Sequence, residues 1–394
     1  MQALTSGQWA TDPLFDYTTL LLQGDAGANG AQNNTFLDGS TNNFTITRNG
    51  NTTQGTFSPF SQTGWGNYFT GSGSTYLSIA SSADLQLTNS TVFTIEAFIY
   101  WTGTTGTQQG IISKRGSSAT QEWGLVINST GKLLFTSTTT DYTGGTTLNQ
   151  NQWNHIAVSS DGTNIAVYLN GSRDSTPTAA AGIVSSTNNV LIGYQTTTAN
   201  PYTGYISNLR VVKGTQLYSG TPYSVPTATL TAVTNTSLLT CLSNRFVDTN
   251  TQVAAKTITV SGSPSVVAFS PFNPTLPWIA SINGGSGYFD GNGDYLAVQT
   301  SSAFSFDANF TIEFWLNAPS LSTSSSAFIM TIGGVYFALN LSTTAAQVYL
   351  NTSAAAFTSS ATIPLNAWNH ISMVRSGSTV TIYVNGSALP TKVS

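Results

Sequence analysis

The sequence predicts an all-β protein made of two tandem antiparallel β-sandwiches. Three observations lead there: the composition, an internal duplication and the alternation of apolar residues within short runs. The chain is rich in Thr, Val, Ile and aromatic residues and is broken roughly every 8–12 residues by Gly, Asn or Ser clusters, the spacing of short strands joined by turns. Glu-, Lys- and Leu-rich periodic stretches, which would signal long helices, are missing.

The duplication defines the domains. Tyr68-Phe-Thr-Gly-Ser-Gly returns as Tyr288-Phe-Asp-Gly-Asn-Gly, Phe93-Thr-Ile-Glu96 as Phe310-Thr-Ile-Glu313, and Trp153-Asn-His-Ile156 as Trp368-Asn-His-Ile371. Val167-Tyr-Leu-Asn-Gly171 returns as Ile382-Tyr-Val-Asn-Gly386. Upstream, Phe36 with Asp38 corresponds to Phe246 with Asp248, and Phe57-Ser-Pro-Phe60 to Phe269-Ser-Pro-Phe272. Each copy is therefore expected to begin near a Leu-rich strand, Leu20–Leu22 or Leu238–Leu242. This gives an N-terminal arm over 1–16, a first sandwich over 17–227 and a second over 228–394. The second copy has no counterpart of Asn189–Tyr194 or Tyr202–Lys213 and is expected to lack its last strands. Either the reading frame continues past Ser394, the favoured reading, or another chain fills the gap.

Alternation orders the faces. In Phe93–Tyr100, residues Phe93, Ile95, Ala97 and Ile99 share one face, and Thr94, Glu96, Phe98 and Tyr100 the other. Asn170-Gly171 and Asn385-Gly386 each follow an alternating strand and signal type I′ hairpins. Asn128–Gly131 marks a further hairpin.

Charge excludes whole classes of function. Only 7% of residues are charged, against about 25% in an average globular protein. Eleven Lys and Arg with a net charge of −4 cannot form the basic stripe that nucleic-acid binding needs. No apolar run approaches the 18 or so residues of a membrane span, and no leader pattern opens the chain. The single cysteine, Cys241, rules out an internal disulfide framework and a cysteine zinc site.

In their order and spacing, Tyr288–Leu296, Phe310-Thr-Ile-Glu-Phe-Trp315, Trp368–Ile371 and Ile382–Gly386 resemble the concanavalin A-like lectin/glucanase superfamily, in its laminin-G-like jelly-roll branch. A narrower likeness joins Leu20–Asp25, Asn33–Asp38 through Phe57–Phe60, and Ile206–Gly214 to virion structural proteins of marine tailed phages, cyanophages in particular. The superfamily resemblance implies jelly-roll sandwiches; the narrower one implies a bacteriophage virion protein.

The resemblance to glucanases calls for a test of catalysis. Glycoside hydrolysis takes two carboxylates about 5–9.5 Å apart, yet the three glutamates Glu96, Glu122 and Glu313 lie on separate runs. No nucleophile signature surrounds His155 or His370, each of which is expected to bond a neighbouring backbone group. The expectation is therefore no catalytic residue. Glu96 is expected to pair with Arg210, leaving Glu313 without a counterpart arginine. Asp290 and Asp294 could offer oxygens to calcium, but Thr70 and Ser74 stand there in the first copy. The turn reads as a Gly-rich connection, with no metal and no cofactor expected. Trp101, Trp123 and Tyr142, near strand ends or loops, are the candidates for stacking on a sugar, while Trp153 and Trp368 read as core.

These readings add up to a non-enzymatic virion structural protein: a fibre, appendage or capsid-decorating subunit. Its expected partners are other virion subunits, further copies of itself in a homo-oligomer, and host-surface glycans. Met1–Tyr17, with Trp9 and Phe15, is expected to dock on the particle. The alternative is a glycan-binding module of a bacterial surface or exported protein.

Overall fold

The structure is a computed structural model describing residues 15–22, 35–55, 64–116, 121–196, 199–272, 285–304, 309–319, 327–332, 335–342, 345–351, 356–358, 363–389 and 392–393. Trp9, most of the expected docking arm and Phe57–Phe60 lie outside these residues; Phe15 lies in a single 3-10 turn, Phe15–Tyr17. The described residues contain strands and short 3-10 turns, with no α-helix among them. The expected all-β class is what the chain adopts.

The chain divides into two compact units, but not at the boundary the duplication suggests. One unit is Thr63–Asn273 with Pro364–Ala367; the other joins Met1–Gln62 to Pro274–Ile363 and Trp368–Ser394. The boundary expected at 227/228 falls inside the first of these, because Thr236–Thr240, Ile258–Ser261 and Ser265–Val267 pair with strands of the 63–273 unit.

The 63–273 unit is a sandwich of two antiparallel sheets. Its first sheet has the order Ser172–Arg173, Asn164–Leu169, Trp153–Asp161, Val92–Trp101, Thr203–Lys213, Gly66–Thr70, Ser265–Val267. The second runs Ile258–Ser261, Tyr76–Ile79, Val190–Ile192, Gln109–Arg115, Gln121–Ile127, Lys132–Thr136, Asp141–Thr147. Phe93, Ile95, Ala97 and Ile99 all turn into the core between the sheets, as alternation predicts, and meet Leu77, Ile79, Leu125, Ile127 and Phe135 from the facing sheet. Burying each of these side chains other than that of Ala97 contributes about 1.5–3 kcal/mol. The opposite face of the same strand is also covered: Thr94 and Glu96 are fully buried and Phe98 nearly so.

In the other unit, Phe310–Asn317, Trp368–Ser376, Thr379–Val384 and Ser387–Ala388 form one sheet, with Lys392–Val393 also paired to Thr379–Val384. Ala327–Ile332, Val335–Ser342, Ala345–Asn351 and Ala356–Thr358 form another. The segment before the first sandwich joins this unit: Ile46–Asn49 pairs Tyr295–Val298, and Thr53–Gly55 pairs Ser286–Tyr288. These are the pairings that Ile258–Ser261 makes with Tyr76–Ile79, and Ser265–Val267 with Gly66–Thr70, in the first unit.

Both closing segments are organised around one buried aspartate. Asp38 Oδ1 accepts the Leu21 and Ser40 amides and its Oδ2 the Phe44 amide; Asp248 Oδ1 accepts those of Leu239 and Asn250 and its Oδ2 that of Lys256. Burial pushes the Asp38 carboxyl up, but the three amides outweigh it and hold the pKa below the usual value.

The Trp-Asn-His and Asn-Gly motifs are one structural device used twice. Asn170 and Asn385 take left-handed φ of 45° and 52°, each followed by a glycine at positive φ, the hairpin geometry expected of Asn-Gly. Each asparagine carboxamide accepts the amide of its histidine, His155 or His370, at 2.8 and 2.9 Å. Each also donates to the preceding asparagine, Asn154 or Asn369, at 3.0 and 3.1 Å.

Candidate functional site

The three aromatic residues expected to stack on sugar are all core. Trp101 and Trp123 are essentially inaccessible, and Trp101 Nε1 donates to Gln109 Oε1 at 3.1 Å. Tyr142 is buried, its hydroxyl donating to the Ala179 carbonyl at 3.0 Å and accepting the Ala181 amide at 2.8 Å. Each lies on the inward phase of its strand, so no ring face is left for a ligand. Proximity to a strand end misled because the side chain's phase on the strand, not its distance from the tip, decides whether it enters the core.

The outer face of the first sheet gathers aromatics instead. Register places Trp153 opposite Tyr100, Tyr100 opposite Tyr205, and Tyr205 opposite Tyr68. Four rings thus line up across four adjacent strands, at centroid separations of 5.7, 5.7 and 4.8 Å. All four are half-buried, and Phe269 leans on Trp153, Tyr100 and Tyr205 at 5.1, 5.1 and 4.9 Å. At the usual strand spacing the ladder spans about 14 Å. Trp153, expected in the core, is thus on the outer face. Its indole Nε1 is buried without a hydrogen-bond partner among the described residues, a donor whose isolation costs about 1–3 kcal/mol. Burial, together with Tyr68 and Tyr100, pushes the Tyr205 hydroxyl above its usual pKa.

Further along the same face, Glu96 meets Arg210 as expected. Its Oε1 accepts Arg210 Nη2 at 2.6 Å and Nε at 2.9 Å, and its Oε2 accepts the Tyr218 hydroxyl at 2.7 Å. His155 Nε2 lies 3.2 Å from Glu96 Oε2 and Nδ1 lies 2.7 Å from the Tyr223 hydroxyl, so its ring bonds side chains and not the expected backbone group. Burial pushes the Glu96 carboxyl up, yet the His155 hydrogen bond, the Arg210 and His155 charges and the Tyr218 hydroxyl together hold it below the usual carboxylate range. Burial pushes Tyr218 strongly upward and Tyr223 up to about 12. This network clamps the segment carrying both tyrosines onto the sheet.

A second buried pair escapes sequence reasoning. Lys114 Nζ lies 2.5 Å from Glu122 Oε2, both side chains fully buried, and Glu122 Oε1 accepts the Leu87 amide at 3.0 Å. Glu96 and Glu122 stand in opposite sheets, each committed to its own cation. In the Asp290–Asp294 turn, Asp294 Oδ1 accepts the Asn51 amide at 2.5 Å and Asp290 Oδ2 accepts Asn51 Nδ2 at 3.0 Å. The two carboxylates fasten this turn to the closing segment. Among the described residues no three His, Cys, Asp or Glu gather as a metal site.

A family model described as the concanavalin A-like lectin/glucanases superfamily, of laminin G type, matches residues 70–216 and 290–394, and the chain belongs to that superfamily. Similar solved structures include a candidate carbohydrate binding protein from Bacteroides ovatus, 18% identical over 51% of this chain and 61% of that one, TM-score 0.35. This chain therefore spans about three fifths of that protein's length. A heptameric SAP-like pentraxin from Limulus polyphemus is 19% identical over 40% and 78% of the two chains, TM-score 0.31. Domains LG4-5 of the mouse laminin alpha1 chain are 11% identical over 86% and 79%, TM-score 0.30. No curated protein matches the chain.

Proposed function

We propose that the protein is a non-enzymatic glycan-contacting protein whose 63–273 unit binds an oligosaccharide along the Trp153–Tyr100–Tyr205–Tyr68 ladder. The ladder is the observation that carries this reading. Aromatic rings present an apolar face with a polar rim, which suits the C–H face of a sugar ring and its flanking hydroxyls. A row about 14 Å long suits several linked sugars better than one. The non-enzymatic part is supported by Glu96 and Glu122, both buried and engaged by cations in separate sheets.

The setting we propose, resting on the resemblance of three sequence segments, is a virion surface where the chain meets other subunits and host glycans. Mass spectrometry of purified particles tests that setting, and absence of the chain from them would move the same binding role to a bacterial surface or exported protein.

Binding is tested on a glycan panel followed by titration calorimetry with the strongest hit. Trp153→Ala and Tyr205→Ala are each expected to weaken binding at least ten-fold, about 1.4 kcal/mol, while leaving the circular dichroism spectrum unchanged. Trp153→Phe, which keeps a ring, should retain most of the affinity. A wild-type chain that binds no glycan, or ladder variants that bind as tightly as wild type, would defeat the reading.

A further inference from the structure

Away from the ladder, the 63–273 unit carries a polar cleft of about 370 Å³ lined by Arg173–Pro177 and Thr221. That volume falls within the range of small-molecule sites, about 300–1,000 Å³. Three features of the chain build it. The Asn170-Gly171 turn sends the backbone back along Asn164–Leu169, where Arg173 stands opposite Tyr168. The Asp174 amide donates to the Val167 carbonyl at 2.8 Å and its carbonyl accepts the Gly145 amide at 2.7 Å, which ties this stretch to both sheets. Thr221 lies between Tyr218 and Tyr223, whose hydroxyls are held by Glu96 and His155.

The cation of this cleft is unspent. Lys114, Lys256, Arg115 and Arg210 donate to protein oxygens, but the Arg173 guanidinium makes no hydrogen bond or ion pair among the described residues. Its neighbour in sequence, Asp174, does not pair with it, because that carboxylate is held on Thr146: Oδ1 accepts the Thr146 hydroxyl at 2.6 Å and the amide at 3.1 Å. Gly144 makes room for this arrangement, since a β-carbon there would stand 2.2 Å from Asp174 Oδ2. Two hydroxyls add donors. Ser175 Oγ accepts the Val167 amide at 3.0 Å and Thr221 Oγ1 the Arg173 amide at 3.4 Å, so each uses a lone pair on the backbone and keeps its proton for another acceptor. Asp174 Oδ2 meets the Thr146 amide at 3.3 Å and retains a lone pair to accept a further hydrogen bond.

We propose that this cleft binds a sugar acid, a small molecule carrying a single carboxylate beside ring hydroxyls. A guanidinium matches a planar carboxylate, which it engages through two parallel N–H bonds. The Ser175 and Thr221 hydroxyls donate to the same group. Asp174 repels a second negative charge and accepts from a ligand hydroxyl, so the adjacent cation and anion favour a singly charged, hydroxylated molecule over a phosphate or a polyanion. Pro177 offers an apolar surface to the C–H face of the sugar ring. The site shares no residue with the ladder, and the inference stands apart from the reading of the ladder as an oligosaccharide site.

The test is ligand-observed NMR titration of the full chain with glucuronate, glucose and acetate. Glucuronate is expected to bind, and glucose and acetate each at least ten-fold more weakly. Arg173→Ala should weaken glucuronate binding at least ten-fold. Arg173→Lys should recover part of that loss, because it keeps the charge but not the two-pronged contact. Trp153→Ala should leave glucuronate affinity unchanged, and added sodium chloride should weaken it, as expected of an exposed charge. No glucuronate binding at tens of millimolar, or an Arg173→Ala chain that binds as wild type does, would overturn the proposal. Glucose binding as tightly as glucuronate would remove the role of the carboxylate, and acetate binding as tightly would reduce the cleft to a simple anion site; either result overturns it as well. Loss of glucuronate binding in Trp153→Ala with retention in Arg173→Ala would assign the sugar acid to the ladder instead.

Discussion

Glu96 shows how a chain with few charges uses one of them. Its carboxylate is taken wholly out of water and then satisfied by Arg210, Tyr218 and His155. Removing one partner of such a buried pair costs about 3–5 kcal/mol, because the remaining charge is left without compensation. Arg210→Ala is therefore expected to lower stability at pH 7 by about that much, read from urea denaturation. The sign of the pH effect follows from the lowered pKa. A carboxyl whose folded pKa lies below its unfolded value, about 4.3, contributes stability above that value and loses it as pH falls through the folded pKa. The difference between wild type and Glu96→Gln should therefore be largest near neutrality and shrink below about pH 4. A difference that stays constant down to pH 3 would mean that the carboxylate charge contributes nothing. This pair was legible in the sequence because scarcity made it so: Glu96 and Arg210 were among very few charges on strands. Trp101, Trp123 and Tyr142 were misplaced for the opposite reason. Aromatics are plentiful, and a period of two says which residues share a face, not which face meets solvent. The ladder itself is a product of register across four strands, which no single run of sequence contains.

At the scale of elements, the closing segments decide where a unit begins. Leu20–Gly55 and Leu238–Val267 are copies of one module, each folded around its aspartate and each adding strands to the Tyr76-Leu77 or Tyr295-Leu296 edge. Sequence comparison recognises the copies but assigns each to the sandwich that follows it. The structure assigns the later copy to the sandwich that precedes it. Duplication reports a period, and a period can be cut at any phase; only strand pairing fixes the cut. The consequence is measurable. A fragment of residues 63–273 is expected to unfold cooperatively, since it holds both sheets and the strands that close them. A fragment of residues 17–227 lacks Thr236–Thr240, Ile258–Ser261 and Ser265–Val267, which leaves the Arg210, Tyr76 and Gly66 strands each short of a neighbour. That fragment should expose apolar edge surface and lose a large share of its stability, with loss of near-UV dichroism as the signature. Equal cooperativity of the two fragments would place the cut back at 227.

For the whole molecule, the governing fact is that polar groups stand where charges usually do. With 7% charged residues, folding relies on hydroxyls, amides and buried apolar surface. Thr94 bonds Ser159, Thr136 bonds Asp141, and Asn128 folds its own turn through Thr130 and Lys132. Such contacts carry no net charge or only one, and salt scarcely touches them. The ion pairs of Glu96 and Glu122 are enclosed, where counterions cannot screen them. The Lys256–Asp84 pair is the more accessible kind, with the aspartate 41% exposed, and pairs of that kind contribute only about 0–1 kcal/mol. Raising ionic strength from 0.1 to 1 M shortens the screening length from about 10 to about 3 Å and removes most of what exposed charges supply. Stability measured by urea denaturation should accordingly change by less than about 1 kcal/mol between those sodium chloride concentrations. Affinity for a neutral oligosaccharide on the Trp153 ladder should stay within about two-fold over the same range, because stacking and neutral hydrogen bonds have no counterions to release. A fall of ten-fold or more would show that exposed charges dominate binding, and would move the site away from the aromatic face to one where the few lysines and arginines lie.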